Sequence, residues 1–152
     1  MREPRELMWL EMMKYYGLKE IPGPVHNNII LQWFKQLGYE EIQDDETSWC
    51  SRVINIMAIK CGLEHTGKLT ARSWMNIGKS TDDPGIGDVA VFYRGTRNSW
   101  QGHVGLFAGF TKAKDKIVTF GGNQNNMLGF AVYPVAGLDV GLLGFRQLNY
   151  IS

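Results

Sequence analysis

The chain has 152 residues, 44% of them hydrophobic and 20% charged, a size and composition that fit one folded domain and exclude a disordered or fibrous polymer. Sixteen basic residues nearly balance fifteen acidic ones, and the lysines and arginines form no stripe, so neither nucleic acid nor anionic lipid is an expected partner. No run of about 18 apolar residues occurs, so no stable membrane association is expected.

The N-terminal "MREPRELMWLEMMKYYG" carries Glu3, Glu6 and Glu11 where a signal peptide needs an unbroken apolar stretch, and synthesis in the cytoplasm is expected. Residues 4–16 place Leu7, Leu10 and Met13, with Trp9, Met12 and Tyr16, at helical spacing, and Gly17 ends the run. Pro22 and Pro24 then break regularity. A second helix is predicted from about Asn28, with Ile30, Trp33, Phe34 and Leu37 as its apolar face and Gly38 as its stop. A third is predicted over Trp49 to Lys60, on Val53, Ile54, Met57 and Ile59, with Gly62 as its left-handed C-terminal residue. A short fourth begins at Thr70 in "TARSWMNIGKS".

After "TDDPGIGD" the apolar period changes from 3.6 to 2. "PGIGD" has no strand before it and no helix after it, so it reads as a turn into a strand rather than a phosphate loop. The segments "DVAVFYRG", "HVGLFAGF", "DKIVTFGG", "GFAVYPV" and "LLGFRQLNY" then alternate as five antiparallel strands joined by Gly, Asn and Asp turns. Helices first and strands after, without βαβ alternation, predict an α+β domain with helices packed on one face of an antiparallel sheet or half-barrel. A division near residue 82 would leave two halves of about 75 residues with marginal cores, so residues 1–152 are expected to form a single domain.

Two cysteines cannot staple such a chain, and 50 and 61 at the two ends of one helix would stand about 16 Å apart, beyond disulfide reach. Cys50 is expected in the first turn of the third helix, with Thr47 or Ser48 as N-cap, where unpaired N–H groups favour a thiolate. Asp44, Asp45 and Glu46 oppose it, so a cationic partner is needed. Alternation in "WQGHVGLFAGF" places Val104, Leu106 and Ala108 on one face and His103, Gly105, Phe107 and Gly109 on the other, so the imidazole of His103 is expected to head an open, glycine-lined face. A thiol beside that imidazole is a nucleophile with its acid–base partner, and Asn123 or Gln124 in "FGGNQNNM" is available to orient the ring. Singly, a packed thiol, a structural histidine and an ordinary hairpin loop explain the same residues. Cys61 reads as a packing thiol. Cys50, Cys61, His26, His65 and His103 show no ligand-pair spacing, so no metal site and no cofactor are expected.

Together "SWCSRVINIMAIKCG", "PGIGDVAVFYRG", "WQGHVGLF" and "FGGNQNN" resemble the CHAP and NlpC/P60 group of papain-like cysteine peptidases and amidases. They are closer still to a family of small CHAP-like bacterial and phage proteins, which shares "KEIPGPVHN", and the likeness runs over about residues 16 to 147. The resemblance implies a papain-like α+β fold and cleavage of an amide bond in peptidoglycan. Carried over by position, Cys50 is the nucleophile, His103 the base and Asn123 the orienting residue. Many CHAP enzymes carry a glutamate just before that asparagine, where this chain has Gly121 and Gly122.

On this reading Trp49 and Trp100 wall a substrate groove, Gln101 and Gln124 supply polar contacts to the substrate, and the Cys50 N–H helps to hold the oxyanion. The expected protein is a monomeric endolysin-like hydrolase that acts on the cell wall after release through a holin lesion or by delivery. The alternatives are an inactive peptidoglycan-binding or structural phage module, and a papain-like acyltransferase or peptidase on other amides.

Overall fold

Proline in the first turn, where a missing N–H costs nothing, and Glu6 beside it start the first helix, α1, Pro4–Met13. The computed structural model describes residues 2–18, 46–122 and 127–151, without the side chains of residues 46–48. The helix predicted from Asn28 to Leu37 lies outside the described residues. Helix α1 is shorter than the apolar spacing predicts; residues 14–17 form a turn that ends with Gly17 at φ +83°. Gly17 N–H donates to the Leu128 carbonyl and Leu128 N–H to the Leu18 carbonyl, both at 2.8 Å, which ties the end of this helix to the sheet.

Helix α2, Glu46–Lys60, begins three residues before the predicted start, so Cys50 sits a turn further in than expected. All of its residues from Trp49 to Ala58 are buried. Leu63 N–H donates to the Ala58 carbonyl at 2.9 Å across Gly62 at φ +70°, the 6→1 bond of a Schellman stop, as the glycine predicted. The fourth helix is a 3-10 helix, Ala71–Asn76, which buries Trp74.

Six strands follow: β1 Lys79–Thr81, β2 Val89–Arg94, β3 Gly102–Phe110, β4 Lys116–Gly122, β5 Leu128–Pro134 and β6 Val140–Gln147. They form one antiparallel sheet in the order β1-β6-β2-β3-β4-β5, so the fold is α+β as the change of period predicts. Strand β1 is the addition to the five predicted; it is three residues long, largely exposed, and exists through its pairing with β6. "PGIGD" is a turn, with Asp88 N–H donating to the Gly85 carbonyl at 3.0 Å. The buried Asp88 carboxylate accepts from Gly85 N–H at 2.8 Å and from Arg5 at 3.3 Å, which fastens α1 to the head of β2.

Alternation sorts the sheet into two faces. Val89, Val91, Val104, Leu106 and Phe120 join Cys50, Val53, Ile54 and Met57 in the core beneath α2. Ala90, Phe92, Phe107, Ile117, Tyr133 and Phe145 form a second core on the opposite face. The rings of Phe92 on β2 and Tyr133 on β5 lie 5.0 Å apart, although β3 and β4 stand between them in the sheet. Three strand spacings would separate them by about 14 Å in a flat sheet, so the sheet is strongly curled and closes over its own aromatic residues.

Candidate active site

The buried length of α2 carries polar residues, and two of them, Ser51 and Asn55, are tied by hydrogen bonds to neighbouring segments. Ser51 Oγ donates to the Lys68 carbonyl at 2.7 Å and accepts from Trp74 Nε1 at 3.0 Å. Asn55 Oδ1 accepts from Thr66 N–H at 3.1 Å and Gly67 N–H at 2.9 Å, while its Nδ2 reaches the Lys68 carbonyl at 3.1 Å. These bonds fix the helix against loop 66–68 and the 3-10 helix, and so fix Cys50 relative to β3.

Cys50 is fully buried, and the Val104 backbone N–H reaches its sulfur. Burial pushes the thiol up to about 11, against weaker opposing help from that N–H, from the Arg94 charge and from the backbone at Ser51 and Cys50. The resting group is therefore a neutral thiol, where a helix start predicts a thiolate. His103 precedes Val104, and β2–β3 pairing sets it opposite Phe92. Its ring lies 4.5 Å from that of Tyr133 and 6.2 Å from that of Phe92. The face it heads is thus filled by aromatic rings rather than open, and the imidazole is 2% exposed. Burial, then the Arg94 charge, pushes it down to about 3, so it is neutral at pH 7.

Glycine makes the room around the ring. A Cβ on Gly105 would stand 3.6 Å from His103 Nε2 and 3.4 Å from Thr119 Cβ. On the helix side, a Cβ on Gly122 would approach Val53 Cγ2 to 2.7 Å and Trp49 Nε1 to 2.9 Å. Structure thus brings the Cys50 sulfur and His103 to adjacent residues of one strand. Asn123 and Gln124 lie outside the described residues. Of the two tryptophans expected to wall a groove, Trp100 is 61% exposed, whereas Trp49 is 2% exposed and packs in the core, its Nε1 having no hydrogen-bond partner among the described residues. Gln101 is exposed beside Trp100. Cys61 is half-buried against the helix-side core, and burial, with Glu11 nearby, pushes it up to about 11.

Arg72, absent from the sequence reading, organises the loop between β2 and β3. Its Nε donates to the Gln101 carbonyl at 2.8 Å, its Nη1 to the Arg97 carbonyl at 2.6 Å, and its Nη2 to the Thr96 carbonyl at 2.9 Å and Ser99 Oγ at 3.3 Å. Backbone carbonyls more than twenty residues away leave no pattern in a sequence. Gly102 lets the arginine in: a Cβ there would stand 3.3 Å from Arg72 Cγ and 2.5 Å from the Phe92 carbonyl oxygen.

No family model and no curated protein matches the chain. No group of three or more potential metal ligands stands together among the described residues. Among those same residues, no helix is long and apolar enough to cross a membrane.

Proposed function

We propose that the protein is a cysteine-dependent amide hydrolase with a papain-like fold of the CHAP and NlpC/P60 kind, acting as a monomer on the stem peptide or cross-bridge of peptidoglycan. The observation that carries this reading is the Cys50 sulfur seated on the Val104 N–H, one residue from His103. The fold's coarse form, helices followed by one antiparallel sheet, agrees with it. With a neutral thiol and a neutral imidazole at rest, the proton must pass from sulfur to His103 as sulfur attacks the amide carbonyl. The Val104 N–H is placed to stabilise charge gathering on the sulfur. The C–N bond then breaks, the imidazolium returns its proton to the leaving amine, and water hydrolyses the thioester to release the acid and the thiol. Asn123 orients the imidazole in this scheme, while Trp100 and Gln101 border the bound peptide. The biological setting is that of a phage lysin reaching the wall by holin-type release or by delivery.

Cys50→Ala should abolish turbidity loss of purified cell walls while leaving the melting temperature within a few degrees; full activity in that variant would sink the proposal. The complete burial of both side chains favours a second reading, an inactive wall-binding or structural phage module. That reading requires sedimentation with cell walls and no release of soluble fragments by either protein.

A further inference from the structure

Tyr133 stands on β5 opposite Ile117 of β4, and His103 on β3 opposite Phe92 of β2. The curl of the sheet nevertheless brings the Tyr133 ring to 4.5 Å from the imidazole, at an interplanar angle of 30°. Two rings side by side in one plane cannot approach so closely, so the imidazole overlaps a face of Tyr133 with an offset. Phe92 packs on Tyr133 at 5.0 Å but stands 6.2 Å from the imidazole. Tyr133 is 5% exposed and His103 is 2% exposed, so the contact between them is shut off from water.

This contact means more to an imidazolium than to a neutral imidazole. The face of an aromatic ring is the negative pole of its quadrupole; it attracts a cation within about 6 Å of the centroid, most strongly where water is excluded. In the proposed reaction the S–H bond of Cys50 breaks and its proton joins His103, which stays positively charged until that proton passes to the leaving amine. Burial and the Arg94 charge both oppose a positive imidazole. The Tyr133 face works against them, and its effect is greatest while the charge exists, so it lowers the barrier more than it stabilises the resting site. Phe92, with its centroid beyond that reach, contributes far less.

We infer that the face of the Tyr133 ring stabilises the imidazolium that His103 becomes during turnover. Tyr133 acts through His103 and is therefore a positioning residue. This rests on the hydrolase reading, which supplies the proton from Cys50. Tyr133→Phe keeps the ring face, and fluorines added to a phenylalanine at that position withdraw charge from the face while hardly changing its size. Initial rates of wall hydrolysis by the full chain, at saturating and limiting wall concentrations, give kcat and KM. Tyr133→Phe should retain kcat within about threefold, whereas Tyr133→Leu should lose about 30-fold, the order of a desolvated cation–π contact. One, two and three fluorines at position 133 should lower kcat stepwise, by about tenfold at three, with KM and the melting temperature unchanged. The same fluorines on Phe92 should lower kcat by less than about twofold, because that ring lies farther from the charge. A kcat that is flat across the fluorine series, an equal fall at positions 92 and 133, or a Tyr133→Phe as slow as Tyr133→Leu overturns the inference. Cys50-dependent hydrolysis that ignores the fluorines rejects the inference alone, whereas no hydrolysis by the unaltered protein rejects the hydrolase and the inference with it.

Discussion

The two faces of the sheet are both buried, but by different means. On one face an entire helix supplies the cover, and the packing is aliphatic, with Val53, Ile54 and Met57 set on Val89, Val91 and Val104. On the other the sheet curls over itself, and the filling is aromatic, with Phe92, Phe107, Tyr133 and Phe145. Cys50 belongs to the first core, while His103 rings with Phe92 and Tyr133 beside the second. Neighbouring strand residues point to opposite faces, so a sulfur on the Val104 amide and an imidazole at 103 belong to different cores yet share a peptide bond. Any chemistry between them is confined to the end of β3.

Removing a member of the pair should have the largest effect. His103→Gln is expected to lower wall hydrolysis by about 10²–10⁴-fold, the usual worth of a positioned acid–base group. Retention of more than a tenth of the activity would place the proton acceptor elsewhere. One methyl group on each face sharpens the contrast. Gly122→Ala drives a Cβ to 2.7 Å from Val53 and 2.9 Å from the Trp49 indole, so it should cost about 1–3 kcal/mol in urea unfolding through overpacking beneath α2. Gly105→Ala meets its neighbours at 3.3 Å and beyond, one of them His103 Nε2 at 3.6 Å, so it should change hydrolysis more than stability. If the two variants behave alike, the faces are not energetically distinct. Asn55→Leu should cost about 1–3 kcal/mol, because it strips the partners from Thr66 N–H and Gly67 N–H on the helix side.

What the sequence makes legible follows the same division. Period and punctuation reveal α2, its stop at Gly62 and all five longer strands, because each is a local pattern written in apolar residues. Strand β1 has only three residues and no alternation to detect; its existence depends on β6, more than sixty residues away. For the site, the motifs single out Cys50 and His103, and the N–H that reaches the sulfur belongs to the residue after His103, but alternation alone leaves the far side of the sheet unspecified. An open face was expected around His103 because Gly105 and Gly109 flank it. The curl that carries Tyr133 from β5 onto the imidazole is a property of the whole sheet, and no local pattern encodes it. Arg72 is illegible for a related reason, since all but one of its hydrogen-bond acceptors are main-chain carbonyls.

The most specific effect is on the pH dependence of stability, where the two faces should act at opposite ends of the scale. His103 is held down to about 3 by burial and by Arg94, whereas in the unfolded chain an imidazole takes its proton near 6.5. Between those values the unfolded state binds more protons, so the contribution of His103 is complete above about pH 6.5 and is lost as the pH falls toward 3. Cys50 is held up to about 11 from an ordinary value of 9.0, so its contribution is complete below about pH 9 and is lost as the pH rises through 11. Urea midpoints of the unaltered protein, His103→Phe and Cys50→Ala across pH 4 to 10.5 separate the two. His103→Phe should flatten the acid limb and spare the alkaline one. Cys50→Ala should do the reverse, leaving a residual alkaline slope from Cys61, which is also held up to about 11. An unchanged acid limb in His103→Phe would mean that the imidazole takes up protons in the folded state as readily as in water. A catalytic imidazole that meets solvent at rest would then replace the buried, neutral one on which concerted proton transfer from Cys50 depends.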